Sequence, residues 1–145
     1  MEERFWTETE LEVRSFLTDL RYALDAGAKV KFQIDRRVEQ GKDQRHTNLY
    51  TVSTLFQNEK PTDAIKRELY SLTVEEYMRT VKDIRFPELS PMREFGRVYD
   101  GNMDVYIKVR VELLSNRSFG EHTAFVMSFH FAERPLADET FPYRR

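Results

Sequence analysis

The chain has 145 residues, so a single domain is expected, long enough to bury a core without disulfides or structural metals. Its 23 Lys and Arg nearly cancel its 25 Asp and Glu. That excludes any nucleic-acid argument from bulk charge and leaves only local segregation of charge. The absence of Cys excludes a disulfide framework, thiolate zinc sites and a cysteine nucleophile, and is consistent with a reducing cytoplasm. No apolar run approaches 18 residues and no basic-then-apolar leader is present, so neither a membrane span nor export is expected.

Residues 7–26 read as an amphipathic helix, with Leu11, Val13, Phe16, Leu17, Leu20 and Leu24 at helical spacing, Thr7 or Thr9 as cap and Gly27 as stop. Residues 29–34 alternate strictly and predict a strand with Val30, Phe32 and Ile34 inward. The polar stretch 35–48, with Arg36, Arg37, Lys42, Arg45 and His46, predicts an exposed, mobile loop. Residues 49–56 are apolar and β-branched, and helix and strand both remain open there. Pro61 opens a second helix to about Ser71, and Thr73 caps a shorter helical turn over residues 74–78. Residues 82–91 form a proline-punctuated connection.

Beyond residue 91 the period changes to two. Residues 92–99 and 103–114 alternate around Asp100-Gly101, a hairpin signal because such a turn needs positive φ. After a polar loop at 115–121, residues 122–132 alternate again, and a tail, 133–145, follows. The fold class expected is α+β, a single small domain with an antiparallel sheet over 92–132 and helices packed on one face.

With a two-residue turn at Asp100-Gly101, Glu94, Gly96, Val98, Val105 and Ile107 face the core, as do Phe125, Met127, Phe129 and Phe131 in the last strand. The other face then carries Arg93, Phe95, Arg97, Tyr106, Lys108, Ser128 and His130. Cations, aromatics and one imidazole suit metal-independent RNA cleavage. His, Tyr or Lys can move protons between the 2′-hydroxyl and the leaving 5′ oxygen, Arg or Lys can stabilise the phosphorane, and aromatics can stack on unpaired bases. The other constellations carry less. The three His are far apart in sequence without metal-ligand spacing, so no metal site and no cofactor are expected. The sequon at Asn116-Arg117-Ser118 is read as chance, Glu75-Glu76 as the acidic start of a helix, and the Arg36–His46 loop as solvated surface.

Three strand segments then carry a resemblance: Phe95-Gly96-Arg97, Asp104-Val105-Tyr106-Ile107-Lys108-Val109 and Met127-Ser128-Phe129-His130-Phe131-Ala132-Glu133-Arg134-Pro135. With Phe16-Leu17, Asp35-Arg36-Arg37 and Leu72-x-Val74-Glu75-Glu76-Tyr77 upstream, the ordered set resembles toxins of the motility quorum-sensing regulator (MqsR) family, in the RelE superfamily. The resemblance implies a RelE-like fold, a type II toxin that cleaves mRNA as a metal-independent endoribonuclease in the cytoplasm, and a cognate antitoxin, a helix-turn-helix protein encoded beside it. Carried over residue by residue, it implies a catalytic set of His130, Tyr106 and Arg79, with His and Arg standing where better-known members have Lys. Lys108, Arg97, Arg93, Phe95 and Ser128 would contact the substrate. A Gln that the family has at the start of the hairpin has no counterpart in Arg93-Glu94-Phe95. The alternative function is a catalytically inactive RNA-binding or partner-binding regulator with the same fold.

Overall fold

In a computed structural model of the protein, which describes residues 2–36, 44–113 and 122–145, the first helix begins where a capping box closes. The Thr9 side chain accepts from the Glu12 N–H at 3.1 Å, and the Glu12 carboxylate accepts from the Thr9 N–H at 2.9 Å. Helix α1 runs over Glu10–Asp25 and buries Val13, Phe16, Leu17, Leu20 and Leu24. Leu11, counted inward by spacing, is exposed. Gly27, at φ +77°, supplies the left-handed residue that turns the chain out of the helix.

The stretch whose type the sequence left open is a helix, α2 (Asn48–Leu55), capped by Thr47. Helix α3 (Pro61–Tyr70) starts on its proline as expected. The helical turn after Thr73 is shorter than expected, a single 3-10 turn at Val74–Glu76. Tyr77 already belongs to a strand that the sequence reading did not register.

Six strands form one sheet: β1 (Glu3–Trp6), β2 (Lys29–Phe32), β3 (Tyr77–Asp83), β4 (Met92–Tyr99), β5 (Met103–Glu112) and β6 (Thr123–Phe131). Their order is β1-β3-β4-β5-β6-β2, antiparallel throughout except for the parallel pair β2–β6. The α+β class and the three C-terminal antiparallel strands agree with expectation; the added strands and the parallel pair enlarge the sheet. Val105, Ile107, Val109 and Phe129 are buried beneath α1 and α2, and Phe16 stacks on Phe95 at 6.1 Å between ring centroids.

Two local irregularities set which side chains face where. The β4–β5 turn holds three residues, not two: Tyr99 pairs with Met103, and Asp100 and Gly101 take φ of 52° and 78°. One extra residue in the turn flips every side chain of β4 relative to β5. Arg93, Phe95 and Arg97 therefore lie on the helix-covered face, and Glu94 and Gly96 on the other, the reverse of the expected assignment.

In β6, Lys108 pairs with Ser128 but Val109 pairs with Val126, so Met127 is a β-bulge. The bulge changes phase within the strand: Phe129 stays in the core, whereas Phe125 pairs with Arg110 on the open face and Ala124 and Val126 go inward. Phe125 and Met127, expected in the core, are half-buried outside it, and Phe131 packs on the core's margin.

The edge of β6 beyond its pairing with β2 is closed by side chains. Asn48 donates to the carbonyls of Gln33 (2.7 Å) and Met127 (3.0 Å) and accepts from the Phe129 N–H (2.9 Å). Thr51 accepts from the Phe131 N–H at 2.8 Å, and His46 Nδ1 lies 2.9 Å from the Phe131 carbonyl oxygen. The 35–48 stretch is thus no uniformly exposed loop: Asn48 is buried and His46 half-buried, since an open strand edge needs partners. Residues 37–43 and the 114–121 segment, with Arg37, Lys42, the polar loop and the sequon, lie outside the described residues.

The tail crosses the open face from β6 towards β3. Leu136 donates its N–H to Asp104 at 2.8 Å, and the Tyr143 ring stacks on Tyr77 at 6.2 Å. Gly96 permits this: a Cβ there would stand 2.9 Å from Phe141 and 3.0 Å from Leu136.

Candidate active site

Where the tail leaves the sheet uncovered, a cleft of about 310 Å³ opens over β3–β6, walled by Leu136, Arg134, Glu133 and Glu139. Its floor combines open-face positions: Arg79 and Met78 from β3, Glu94 from β4, Tyr106 and Lys108 from β5, Ser128 and His130 from β6, with Arg36 at the rim. Five residues expected at the site meet in this cleft: His130, Tyr106, Arg79, Lys108 and Ser128.

The other three do not. Arg97 donates to Glu76 at 2.6 and 2.8 Å and to Ser71 Oγ at 2.7 Å, pinning β4 to the α3–β3 connection from the helix side. Arg93 forks onto Glu8 at 2.7 and 3.1 Å, its guanidinium 4.6 Å from the Phe16 ring centre. Phe95 has no exposed surface and packs between Phe16 and Tyr77. Each was misassigned by the one-residue turn error, and each holds the fold rather than a substrate.

Within the cleft, Tyr106 and His130 are cross-strand neighbours with ring centroids 5.3 Å apart. His130 Nδ1 lies 2.9 Å from the carbonyl oxygen of Phe131. A carbonyl only accepts, so this contact puts the proton on Nδ1 and leaves the Nε2 lone pair available. His46 Nδ1 meets the same oxygen at 2.9 Å, so two imidazoles share one acceptor. Burial holds the His130 pKa below the ordinary imidazole value; its bond to Phe131 opposes this, while Arg36 and His46 add to the lowering. The imidazole is therefore neutral near pH 7, the form that accepts a proton.

Glu94 is 1% exposed yet charged chemistry surrounds it. Arg79 Nε donates to its Oε1 at 3.0 Å, and Phe5 packs on the same guanidinium at 4.2 Å. Burial raises the Tyr106 pKa, and the charge and hydrogen bonding of Glu94 raise it further, against the pull of Arg79 and Arg36. Tyr106 is thus held as a phenol, a donor. Arg36 donates to Ser128 Oγ at 3.0 Å. Among the described residues no hydrogen bond or ion pair engages Lys108, which lines the cleft with its charge free.

Sequence reasoning missed Glu94, Arg36, Arg134 and His46. Glu94 carried a signal, as the lone charge in a row assigned to the core; a buried position for a carboxylate is anomalous unless a cation faces it. Arg36 was legible as a member of a polar stretch and of the Asp35-Arg36-Arg37 segment of the resemblance, and His46 only as a member of that stretch. Among the described residues no three His, Asp or Glu side chains gather to hold a metal ion, and no helix is long and apolar enough to cross a membrane. No protein-family model, no curated protein and no solved structure matches the chain.

Proposed function

We propose that this cleft is the active site of a metal-independent endoribonuclease that cleaves mRNA, the toxin of a toxin–antitoxin pair with a helix-turn-helix antitoxin and a RelE-like fold. The observation that carries this reading is the convergence of a neutral, Nδ1-anchored imidazole, a protonated phenol and an unpaired lysine in one cleft. His130 Nε2 takes the proton of the 2′-hydroxyl as that oxygen bonds to phosphorus. The bond from phosphorus to the 5′ oxygen breaks, and Tyr106 supplies the departing oxygen with a proton. Lys108 and Arg79 face the charge that builds on the phosphorane oxygens. The products are a 2′,3′-cyclic phosphate and a free 5′-hydroxyl, and proton exchange with water restores both side chains.

One observation favours the rival reading, a non-catalytic RNA-binding regulator: Arg79 already donates to Glu94. Product analysis separates the two. Purified protein incubated with mRNA should yield cyclic-phosphate and 5′-hydroxyl ends at a rate unchanged by excess chelator. Intact RNA that is nevertheless bound would favour the regulator. Cleavage abolished by EDTA and restored by magnesium would refute the mechanism.

A further inference from the structure

The cleft is lined by the cations Arg36, Arg79, Lys108 and Arg134. Two of the arginines already meet carboxylates, Arg79 at Glu94 (3.0 Å) and Arg134 at Glu139 (3.7 Å). Among the described residues Arg36 meets none. Its side chain donates there only to Ser128 Oγ, from Nη1 at 3.0 Å, and Ser128 is buried in the cleft floor. A guanidinium carries its N–H donors in a rigid fork, so one bond fixes its place and leaves the other donors open to a ligand.

The backbone delivers Arg36 to this spot. β2 pairs in parallel with β6, and the Gln33 N–H extends that pairing to the Val126 carbonyl at 3.0 Å. The Gln33 carbonyl accepts from Asn48 (2.7 Å) and from the Arg36 N–H (3.0 Å), which closes a turn at the edge of β6. Arg36 therefore reaches over β6 from the β2 side, whereas Arg79 comes from β3, on the far side of Tyr106 and His130.

Lys108 pairs with Ser128 as Tyr106 pairs with His130, and the two rows lie one step of about 6.7 Å apart on the same face. Arg36 and Lys108 thus share the row beside the reacting pair. The charge of Arg36 reaches both members of that pair. Burial lowers the His130 pKa and raises that of Tyr106; Arg36 adds to the first shift and opposes the second.

We propose that Arg36 is the arginine that grips the scissile phosphate, its fork and the Lys108 ammonium meeting the non-bridging oxygens. This inference rests on the ribonuclease reading of the cleft and deepens it: Arg36 takes the leading share of the phosphate charge, and Arg79, bound to Glu94, the smaller. As the 2′ oxygen bonds to phosphorus and the 5′ oxygen leaves, negative charge builds on the non-bridging oxygens. Arg36 donates hydrogen bonds to them and keeps its protons. His130 and Tyr106 remain the proton acceptor and the proton donor.

The test measures kcat and KM on a single-stranded RNA that the wild type cleaves, for the full chain and for Arg36→Ala and Arg36→Lys. Arg36 is exposed and outside the core, so both variants should unfold in urea at the wild-type midpoint. Arg36→Ala should lower kcat about 10²- to 10³-fold, the usual worth of one donor aimed at developing negative charge. Arg36→Lys should recover only part of this, since the ammonium keeps the charge and loses the fork. Millimolar guanidinium chloride should raise the kcat of Arg36→Ala several-fold and leave that of His130→Gln unchanged, a rescue that a merely structural residue would not show.

A folded Arg36→Ala protein with the wild-type kcat overturns the proposal, as does a loss confined to KM that guanidinium does not relieve. Should Arg36→Ala shift the unfolding midpoint, Arg36→Lys carries the comparison: a lowered kcat upholds the proposal and an equal one overturns it. A wild type that cleaves no RNA overturns the ribonuclease reading itself, and the role of Arg36 falls with it. Cleavage by the wild type and by Arg36→Ala at one rate overturns Arg36 alone.

Discussion

On the helix-covered face of β4, Arg93 and Arg97 donate to Glu8, Glu76 and Ser71, and Phe95 between them is buried. On the open face of the neighbouring strand, Tyr106, Lys108 and Arg110 follow the same alternation, and there Lys108 is unpaired and Arg110 keeps a buried donor free. Both rows are cationic and aromatic at a period of two. What separates them is the supply of acceptors. The covered face meets carboxylates and carbonyls from Glu8 in the β1–α1 connection, from the end of α3 and from the Val74–Glu76 turn, which engage its guanidiniums. The open face meets Arg36, the tail and the 86–90 connection, and its carboxylates Glu94 and Glu112 are engaged by Arg79 and by Ser90, which leaves Lys108 without an acceptor among the described residues. Residue type alone does not separate the two rows; hydrogen-bonding partners do.

The largest expected effect falls on the open face. His130→Gln should lower RNA cleavage about 10²- to 10⁴-fold, the usual worth of general acid–base catalysis, while changing stability by no more than about 1 kcal/mol. The fold tolerates the loss because His46 still donates to the Phe131 carbonyl. A variant that unfolds, or one that cleaves at full rate, would break the contrast between the faces. Arg97→Ala should do the opposite. Losing a half-buried guanidinium bonded to Glu76 and Ser71 should cost about 2–3 kcal/mol in urea unfolding, with cleavage per folded molecule unchanged. Reduced activity in a fully stable Arg97→Ala protein would return that residue to the site.

Gly96→Ala probes the boundary between the two faces. The added methyl meets Phe141 at 2.9 Å and Leu136 at 3.0 Å, both ends of side chains that can shift, so a destabilisation of about 1 kcal/mol is expected. Because Leu136 walls the cleft, a modest fall in cleavage should accompany it. The absence of any change in thermal melting would mean that the tail does not rest on the sheet.

The smallest effect concerns pH. His130 is held below the ordinary value of 6.5, so cleavage should persist at pH 6.5 and fall only in more acidic solution. As pH drops through 6.5 the unfolded chain takes up this proton before the folded one. The wild type should therefore lose stability relative to His130→Gln from about that pH down to the folded pKa, and no further below it. His46→Asn removes one of the charges that disfavours the His130 cation, so an NMR titration should find the His130 pKa slightly raised. A lowered value would reverse the assigned direction of coupling between the two rings.

The sequence by itself determined the elements whose signals are local. A threonine cap, which the structure places at Thr9, the α1 stripe except Leu11, and the opposed alternation of Val105 and Ile107 against Tyr106 and Lys108 appear as read. So do the outward placements of Ser128 and His130, because those residues lie on the same side of the bulge as Phe129. Arg79 reached the site through resemblance, and the structure supplies its partner, Glu94. Strand β1 escaped notice because it is only four residues long, and β3 because its first residues fall in the stretch read as a helical turn while its pairing with β1 and β4 is not a local signal. Only the tertiary structure decided the phase between strands: a three-residue turn reversed β4, and the Met127 bulge reversed half of β6. Alternation is a property of one strand, whereas phase across a turn or bulge depends on a single residue. Where that residue sits is settled by the packing of both strands against Phe16, Phe95 and Phe129.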